Sequence, residues 1–574
     1  MKGKALKTII LVISFLIVSI LLVGCNGSGG GEGQTPTVGE QKPTVSEEFK
    51  IFVGGEYTCK FVLPKGSSEL EDKIAEKLAE MLTEKTGKEP EFINETAIKS
   101  DDKYLFMIGA LDDNDSKAVR EALEDRNAVA KTVGCKLIVA FSDEASGMGV
   151  LEALGEDMIM NSSGEIKLAA GFSKEYKALP GLEALPKYEY DYTRKLDCGE
   201  GSEMTYVGNG TTGDYAKYCS DVEAAGFKKI DSKDINGNLF TTFVGEEDYV
   251  YIYYTRYRAQ IRIMTGPRDT LALSDYSSKL PENETPYLAN IPQPKDGQGY
   301  IFGLPDGRFI IHDGGHEGND RVYKTLRELK PTGDIVIAAW FVSHPHNDHY
   351  PALIDFIKDH VDANGVVIER IIHNYAHPDM YNITGTAGLD NSSAAVSELF
   401  SALKQYAPDI PVIKAHTGQV LDFGSATVEI LYTIEELLPE ALPNINDSSL
   451  VIRVNMGGNS IMLLADTAHA AGPILNKMWG DYLKSDILQI AHHGTYPSVE
   501  SIYHSIQGEV LLFSAMYKNV RWYIVDGRYS AQMNAALLYA EDIYVSDNEV
   551  TKIELPYVFL NNKEEMIDYI KSHG

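Results

Sequence analysis

The stretch Ser343-His344-Pro345-His346-Asn347-Asp348-His349-Tyr350 sets three imidazoles and a carboxylate within six positions. The chain has 14 histidines, and none precedes His312. Imidazole is thus confined to the C-terminal part, where it can act as a group. Histidines two apart on extended chain project to the same side, so His344 and His346 can reach one ion. Asp348 and His349 follow where a strand turns into a helix, and can reach a second ion beside the first. Ring nitrogens and carboxylates together suit zinc or a similar divalent metal.

The elements that must position these residues surround them. The apolar run "DIVIAAWFVS" reads as the strand that delivers the motif, and "PALIDFIKDHV" as the helix that carries the chain away. "GYIFGLPDGRFIIHDGG" reads as two strands joined at Pro305-Asp306-Gly307. "NSIMLLADTAHA" reads as a strand ending in Asp466, and "SDILQIAHHGTYPS" as one ending in His492-His493. "NDSSLVIRV" precedes the Asp466 strand. The series H-x-H-x-D-H, N-x-S-S-L-V, A-D-T and A-H-H-G-T resembles the metallo-β-lactamase superfamily, in its competence-protein (DNA-uptake) branch. The resemblance covers roughly residues 290 to 560, including the closing stretch "EDIYVSDNEVTKIEL".

The resemblance implies an αββα sandwich over 285–574 and a centre of one or two metal ions, zinc or else manganese. His344 and His346 would hold the first ion. Asp348, His349 and one histidine of the His492-His493 pair would hold the second, with Asp466 bridging. The first of the pair, His492, aligns better with the single histidine of relatives and is the expected ligand; His493 would then stand behind the ligands or face substrate. Asp348 would take a proton from the attacking water, which makes Asp348 and His493 the expected catalytic residues. Many members add one more histidine to the first metal, from the end of a strand that corresponds here to "ATVEILYTIEE", which has none. A weaker or wetter first site follows. His373 and His377 follow a strand that should end near the metals, and either line the pocket or lie idle in a loop. His416 is expected to miss the site, His469 to stand behind the metal ligands, and His312 and His316 to be structural.

A chain of 574 residues exceeds one core. Residues 48–187 alternate strand and helix patterns and predict an α/β domain, for which "SSELEDKIAEKLAEMLTEKTG" is a capped helix with a terminal glycine. Residues 188–284 predict a smaller α+β domain. Tyrosines 249, 251, 253, 254 and 257 are expected to pack within its strands, the alternative being a sugar-stacking or partner face. The fold class expected is therefore multidomain α/β and α+β.

The first 25 residues carry Lys2, Lys4 and Lys7, an uncharged apolar run and then Leu22-Val23-Gly24-Cys25. This resembles a bacterial lipobox, and implies a lipoprotein signal peptide lipidated at Cys25 and a chain held at the outer face of the membrane; a plain anchor helix is the alternative. Residues 26–47, rich in Gly, Pro, Thr and Glu, predict a flexible tether. Cys59, Cys135, Cys198 and Cys219 show no metal-binding spacing and are expected as buried unpaired thiols, the alternative being pairs such as Cys59–Cys135 or Cys198–Cys219. A net charge of −31 excludes tight non-specific binding of nucleic acid. Together these features point to an exported, metal-dependent hydrolase of small or oligomeric phosphoesters. Two alternatives remain: an envelope carbohydrate-binding lipoprotein, and a lactam hydrolase.

Overall fold

The computed structural model describes residues 48–574, except 124–126, 143, 178–184, 186–192, 200, 319, 362–364, 382–391 and 548. The expected signal peptide, Cys25 and tether lie outside the described residues, as does the expected boundary near residue 187. Among the described residues no helix is long and apolar enough to cross a membrane. Among the described residues Cys59, Cys135, Cys198 and Cys219 form no disulfide, and all but Cys135 are buried.

Two sheets form the C-terminal half. The first runs Val412–Lys414, Ile371–His373, Ile335–Phe341, Phe309–Asp313, Gly299–Gly303, Tyr287–Asn290 and Lys552–Glu554, with Val366–Ile368 beside Ile335–Phe341. The second runs Val420–Asp422, Ala426–Tyr432, Val451–Met456, Asn459–Leu463, Ile487–Gln489, Val510–Phe513 and Asp542–Val545. Their inner faces share one dry core, in which Phe302, Ile310, Ala339 and Phe341 meet Val428, Ile430, Ile452 and Ile461. Each sheet starts antiparallel and turns parallel part-way. In the first the change comes between Phe309–Asp313 and Ile335–Phe341. In the second it comes between Asn459–Leu463 and Ile487–Gln489. In sheets with parallel strands, ligands bind outside the strands' carboxyl ends. All the histidines of the motif emerge there.

A buried ion pair crosslinks two strands of the second sheet. Arg453 Nε and Nη2 donate to the two carboxylate oxygens of Glu429 at 3.0 and 2.9 Å. Burial pushes the Glu429 carboxyl up, but Arg453 outweighs it and holds the pKa below 4.5. A carboxyl depressed in the folded chain contributes stability above its unfolded pKa, and loses it as pH falls through the folded value. Unfolding midpoints are therefore expected to drop as pH falls below about 4.5, and Glu429→Gln to flatten that acid limb while lowering the midpoint at neutral pH.

The N-terminal unit is a six-stranded sheet in the order Phe92–Asn94, Cys59–Leu63, Tyr104–Ile108, Lys136–Phe141, Asn127–Val133 and Ser173–Lys177. Helices Glu69–Thr86 and Glu144–Asp157 cover one face. Ser68 caps the first of these by accepting from the Glu71 amide, and Gly87 ends it with φ 72°.

The second small sheet is antiparallel throughout, in the order Thr193–Asp197, Glu203–Val207, Gln260–Pro267, Asp248–Thr255, Asn238–Val244 and Lys228–Ile235. Alternation along Asp248–Thr255 sends Val250, Ile252 and Tyr254 toward helix Thr212–Ala224. It sends Tyr249, Tyr251 and Tyr253 into the large core shared with the C-terminal half. These tyrosines are packing residues, not an exposed sugar-binding face. Tyr249 OH meets His416 Nε2 at 2.9 Å, Tyr251 OH donates to the Thr417 carbonyl at 2.8 Å, and Phe240 stacks on Trp479. Arg262, wholly buried, lies 3.7 Å from the equally buried Glu436 and donates to the Glu436 and Leu438 carbonyls.

Candidate metal centre

Strand Ile335–Phe341 ends in the first sheet and releases Ser343 to His349 before helix Pro351–His360 begins. His344 and His346 turn toward each other, with His344 Nε2 and His346 Nδ1 3.0 Å apart. Opposite them, the end of Asn459–Leu463 brings in Asp466, whose Oδ2 is 3.7 Å from His344 Nε2. His344, His346 and Asp466 form one group able to hold a metal ion; Asp348, His349 and His493 form a second, with the donor atoms of each group within 4.8 Å of one another. Asp466 Oδ2 also lies 3.3 Å from His349 Nε2 and 3.4 Å from His493 Nε2, so it stands between the groups. His493 Nε2 is 3.2 Å from Asp348 Oδ2.

The donor set calls for a cation. His349 Nδ1 donates to Asp313 Oδ2 at 2.8 Å, and His493 Nδ1 donates to the Ser514 carbonyl at 2.9 Å. In each neutral ring the remaining Nε2 is a lone pair, and both are aimed at carboxylates. His349 Nε2, His493 Nε2 and Asp466 Oδ1 are buried without a hydrogen-bond partner. Buried acceptors facing one another are costly unless something positive lies between them. The electrostatics agree. Burial disfavours the charged His349 ring, yet Asp466, Asp313 and Asp348 raise its pKa to about 10. Burial is likewise outweighed at His493, which Asp466 and Asp348 push well up. Asp466 is held far below the carboxylate range by His349, His493 and His492 against its burial. A divalent ion meets the same demand with the rings neutral.

His492 stands outside both groups. Its Nε2 is 3.8 Å from Asp466 Oδ2 and is engaged by Asn446 Nδ2 at 3.1 Å. The family resemblance implied His492 as the ligand; the group able to hold an ion contains His493 instead. The reason lies in the backbone, where His492 and His493 both take left-handed φ, 52° and 55°. Asp313 (φ 57°) and Ala465 (φ 47°) are left-handed too. Such angles cost a non-glycine residue on the order of 1–3 kcal/mol and gather at functional sites.

The segment over the first group is Ile445–Ser449, not the end of Ala426–Tyr432. It brings no imidazole; Ser449 Oγ lies 3.5 Å from His344 Nδ1 and accepts from the Asp466 amide. His373 is buried away from both groups, where its Nδ1 accepts from the Tyr375 amide and burial lowers its pKa to about 3. His377 borders a cleft of about 710 Å³ that Lys131, Tyr176 and Ser202 also line. His416 joins the interface with the tyrosine-rich sheet through Glu435 and Tyr249. His469 is exposed. His312 and His316 lie outside the groups, with His316 held at the Asp296 carbonyl.

Asp313 was missed in the sequence, where only Gly314 and Gly315 set it apart. Its carboxylate accepts from the Ser343 amide and hydroxyl as well as from His349. It fixes which nitrogen of His349 faces the cluster. Asp313→Asn is expected to weaken metal binding about 10- to 100-fold, read by competition with a coloured chelator, with the circular dichroism spectrum unchanged.

No family model and no curated protein matches the chain. Among solved structures it is similar to the metallo-beta-lactamase fold protein YhfI from Bacillus subtilis, at 17% identity and a TM-score of 0.28, over 46% of this chain and 99% of that one. It is also similar to CmlA, a diiron beta-hydroxylase from Streptomyces venezuelae, at 13% identity and a TM-score of 0.31, over 48% of this chain and 55% of that one. Neither likeness bears on substrate or reaction.

Proposed function

We propose that the chain is a metal-dependent hydrolase of phosphoesters, exported and tethered through lipidated Cys25 to the outer face of a bacterial membrane. The observation that carries the hydrolase reading is the convergence of partnerless buried donors, His349 Nε2, His493 Nε2 and Asp466 Oδ1, on one crevice. The motif order of the competence-type branch supports phosphoester substrates, and the residues before Cys25 support export. His344, His346 and Asp466 would hold one ion; Asp348, His349 and His493 would hold the other. When bound, zinc or manganese supplies Lewis acidity to a phosphoester oxygen and acidifies water near neutral pH.

The protein's own groups do the rest. Asp348, with its side chain 22% exposed, is the carboxylate open to the crevice and placed to accept a proton. Asp313 and Ser514 lock the rings of His349 and His493, so the donors need no rearrangement. Asn446, itself buried, holds the partly exposed His492 ring beside Asp466. The acidic surface disfavours long polyanions and leaves short substrates.

The test is turnover of bis(p-nitrophenyl) phosphate by the zinc- or manganese-loaded chain, beside nitrocefin as a lactam. Cleavage of the diester alone supports the proposal. Cleavage of nitrocefin alone, or of neither, refutes the phosphoester reading. Loss of membrane association on Cys25→Ser tests the tether.

A further inference from the structure

The loop that carries His493 continues into Gly494, Thr495 and Tyr496. Gly494 has φ 93°, and a Cβ there would strike the Tyr523 ring at 2.6 Å, so the glycine lets that ring close on the backbone beside His493. Tyr523 comes from helix Tyr517–Ile524, and its hydroxyl is hydrogen-bonded to Thr495 Oγ1. Rings then follow one another outward. Tyr523 and Tyr529 are 6.0 Å apart, and Tyr529 and Tyr496 are 4.8 Å apart. The Tyr496 and Tyr529 planes are tilted by 52° to each other. Tyr496 is 58% exposed. It is three residues from His493, so its Cα lies within about 11 Å of the histidine's.

Two further features mark this surface as built. Tyr496 and Tyr529 both hold left-handed backbone, φ 46° and 56°, which costs energy that packing must offset. Exposed Arg528 precedes Tyr529 and sets a guanidinium 5.6 Å from the Trp522 ring, a local positive charge on a chain of net charge −31. An exposed, pre-oriented aromatic surface beside a centre that takes phosphate suits a flat ring linked to that phosphate.

We infer that Tyr496, backed by Tyr529, is a stacking platform for a nucleobase, so that the phosphoesters turned over here are nucleotides or short oligonucleotides. This rests on the phosphoester reading above. Tyr496 is thus a specificity-determining residue that leaves the reacting atoms to the metal centre.

Calorimetric titration of the zinc-loaded chain with adenosine 5′-monophosphate and with ribose 5-phosphate isolates the base, since both present the same phosphate. The nucleotide is expected to bind about fivefold or more tightly. Tyr496→Ala should erase that ratio without changing ribose 5-phosphate affinity or metal content, and Tyr496→Phe should keep it. Equal affinity of the two ligands, binding of neither, or a ratio that survives Tyr496→Ala overturns the inference. If the base advantage holds while bis(p-nitrophenyl) phosphate stays intact, the hydrolase reading fails and the platform stands.

Discussion

Asp466→Asn is expected to strip the centre of most of its metal. The wild-type chain loaded with zinc should hold about two ions and the variant fewer than about one, with diester turnover lower by about 10³-fold. Asparagine keeps the volume and one carbonyl oxygen, so the fold has no reason to change. What goes is the negative charge that faces His344, His349, His492 and His493 at 3.3 to 3.8 Å. Without it, His349 and His493 have only Asp348 in front of their Nε2 atoms, and His344 and His346 have no anion between them. Plasma mass spectrometry on protein purified without chelator reads the metal. An unchanged content and turnover would remove Asp466 from the centre. A wild type with about one ion would mean that the first group, which gains no imidazole from Ile445–Ser449, stays empty.

Arg262→Leu is expected to cost about 3–5 kcal/mol, the largest stability loss of any change considered. Arg262 and Glu436 are both fully buried where the tyrosine-rich sheet meets the C-terminal half. Burial already pushes the Glu436 carboxyl up against the pull of Arg262. Leucine would leave that carboxylate with only the more distant influence of Arg258 among Tyr253, Tyr257 and Glu435, and two backbone carbonyls without their donor. Arg262→Leu/Glu436→Leu removes both charges and should recover much of the loss. Denaturant midpoints followed by tyrosine and tryptophan fluorescence measure both. A double variant no more stable than the single one would show that the arginine's carbonyl contacts, and not the stranded charge, set the cost.

The parts legible in the sequence were those whose cause is local. The helix Glu69–Thr86 announces itself through Ser68 and Gly87, the residues that flank its two ends. The cluster His344 to His349 is compressed into one strand end, so its chemistry needs no fold to be seen. Asp466 was singled out by the family resemblance, which puts a bridging aspartate where this apolar run stops. Other features depend on residues far apart in sequence. Asp313 acts on Ser343 and His349 across a sheet, 30 and 36 positions away. The choice between His492 and His493 is decided by two left-handed residues, which no pattern of polarity encodes. Strand Asn127–Val133, "NAVAKTV", was not read because it is short and weakly apolar, and its pairing with Lys136–Phe141 supplies what its composition lacks. The tyrosines along Asp248–Thr255 showed their alternation at once, but not which surface would cover them.

The donors of the metal centre come from both sheets. His344, His346, Asp348 and His349 follow a strand of the first; Asp466 and His493 follow strands of the second. An ion held between them is a cross-brace at the open end of the sandwich, coupled by mass action to how often that end gapes. At a free metal concentration a thousand times the dissociation constant, the coupling amounts to about 4 kcal/mol. Susceptibility to an added protease would then fall as the divalent metal around the chain rises. Metal scarcity would empty the centre and loosen the sandwich by the same event.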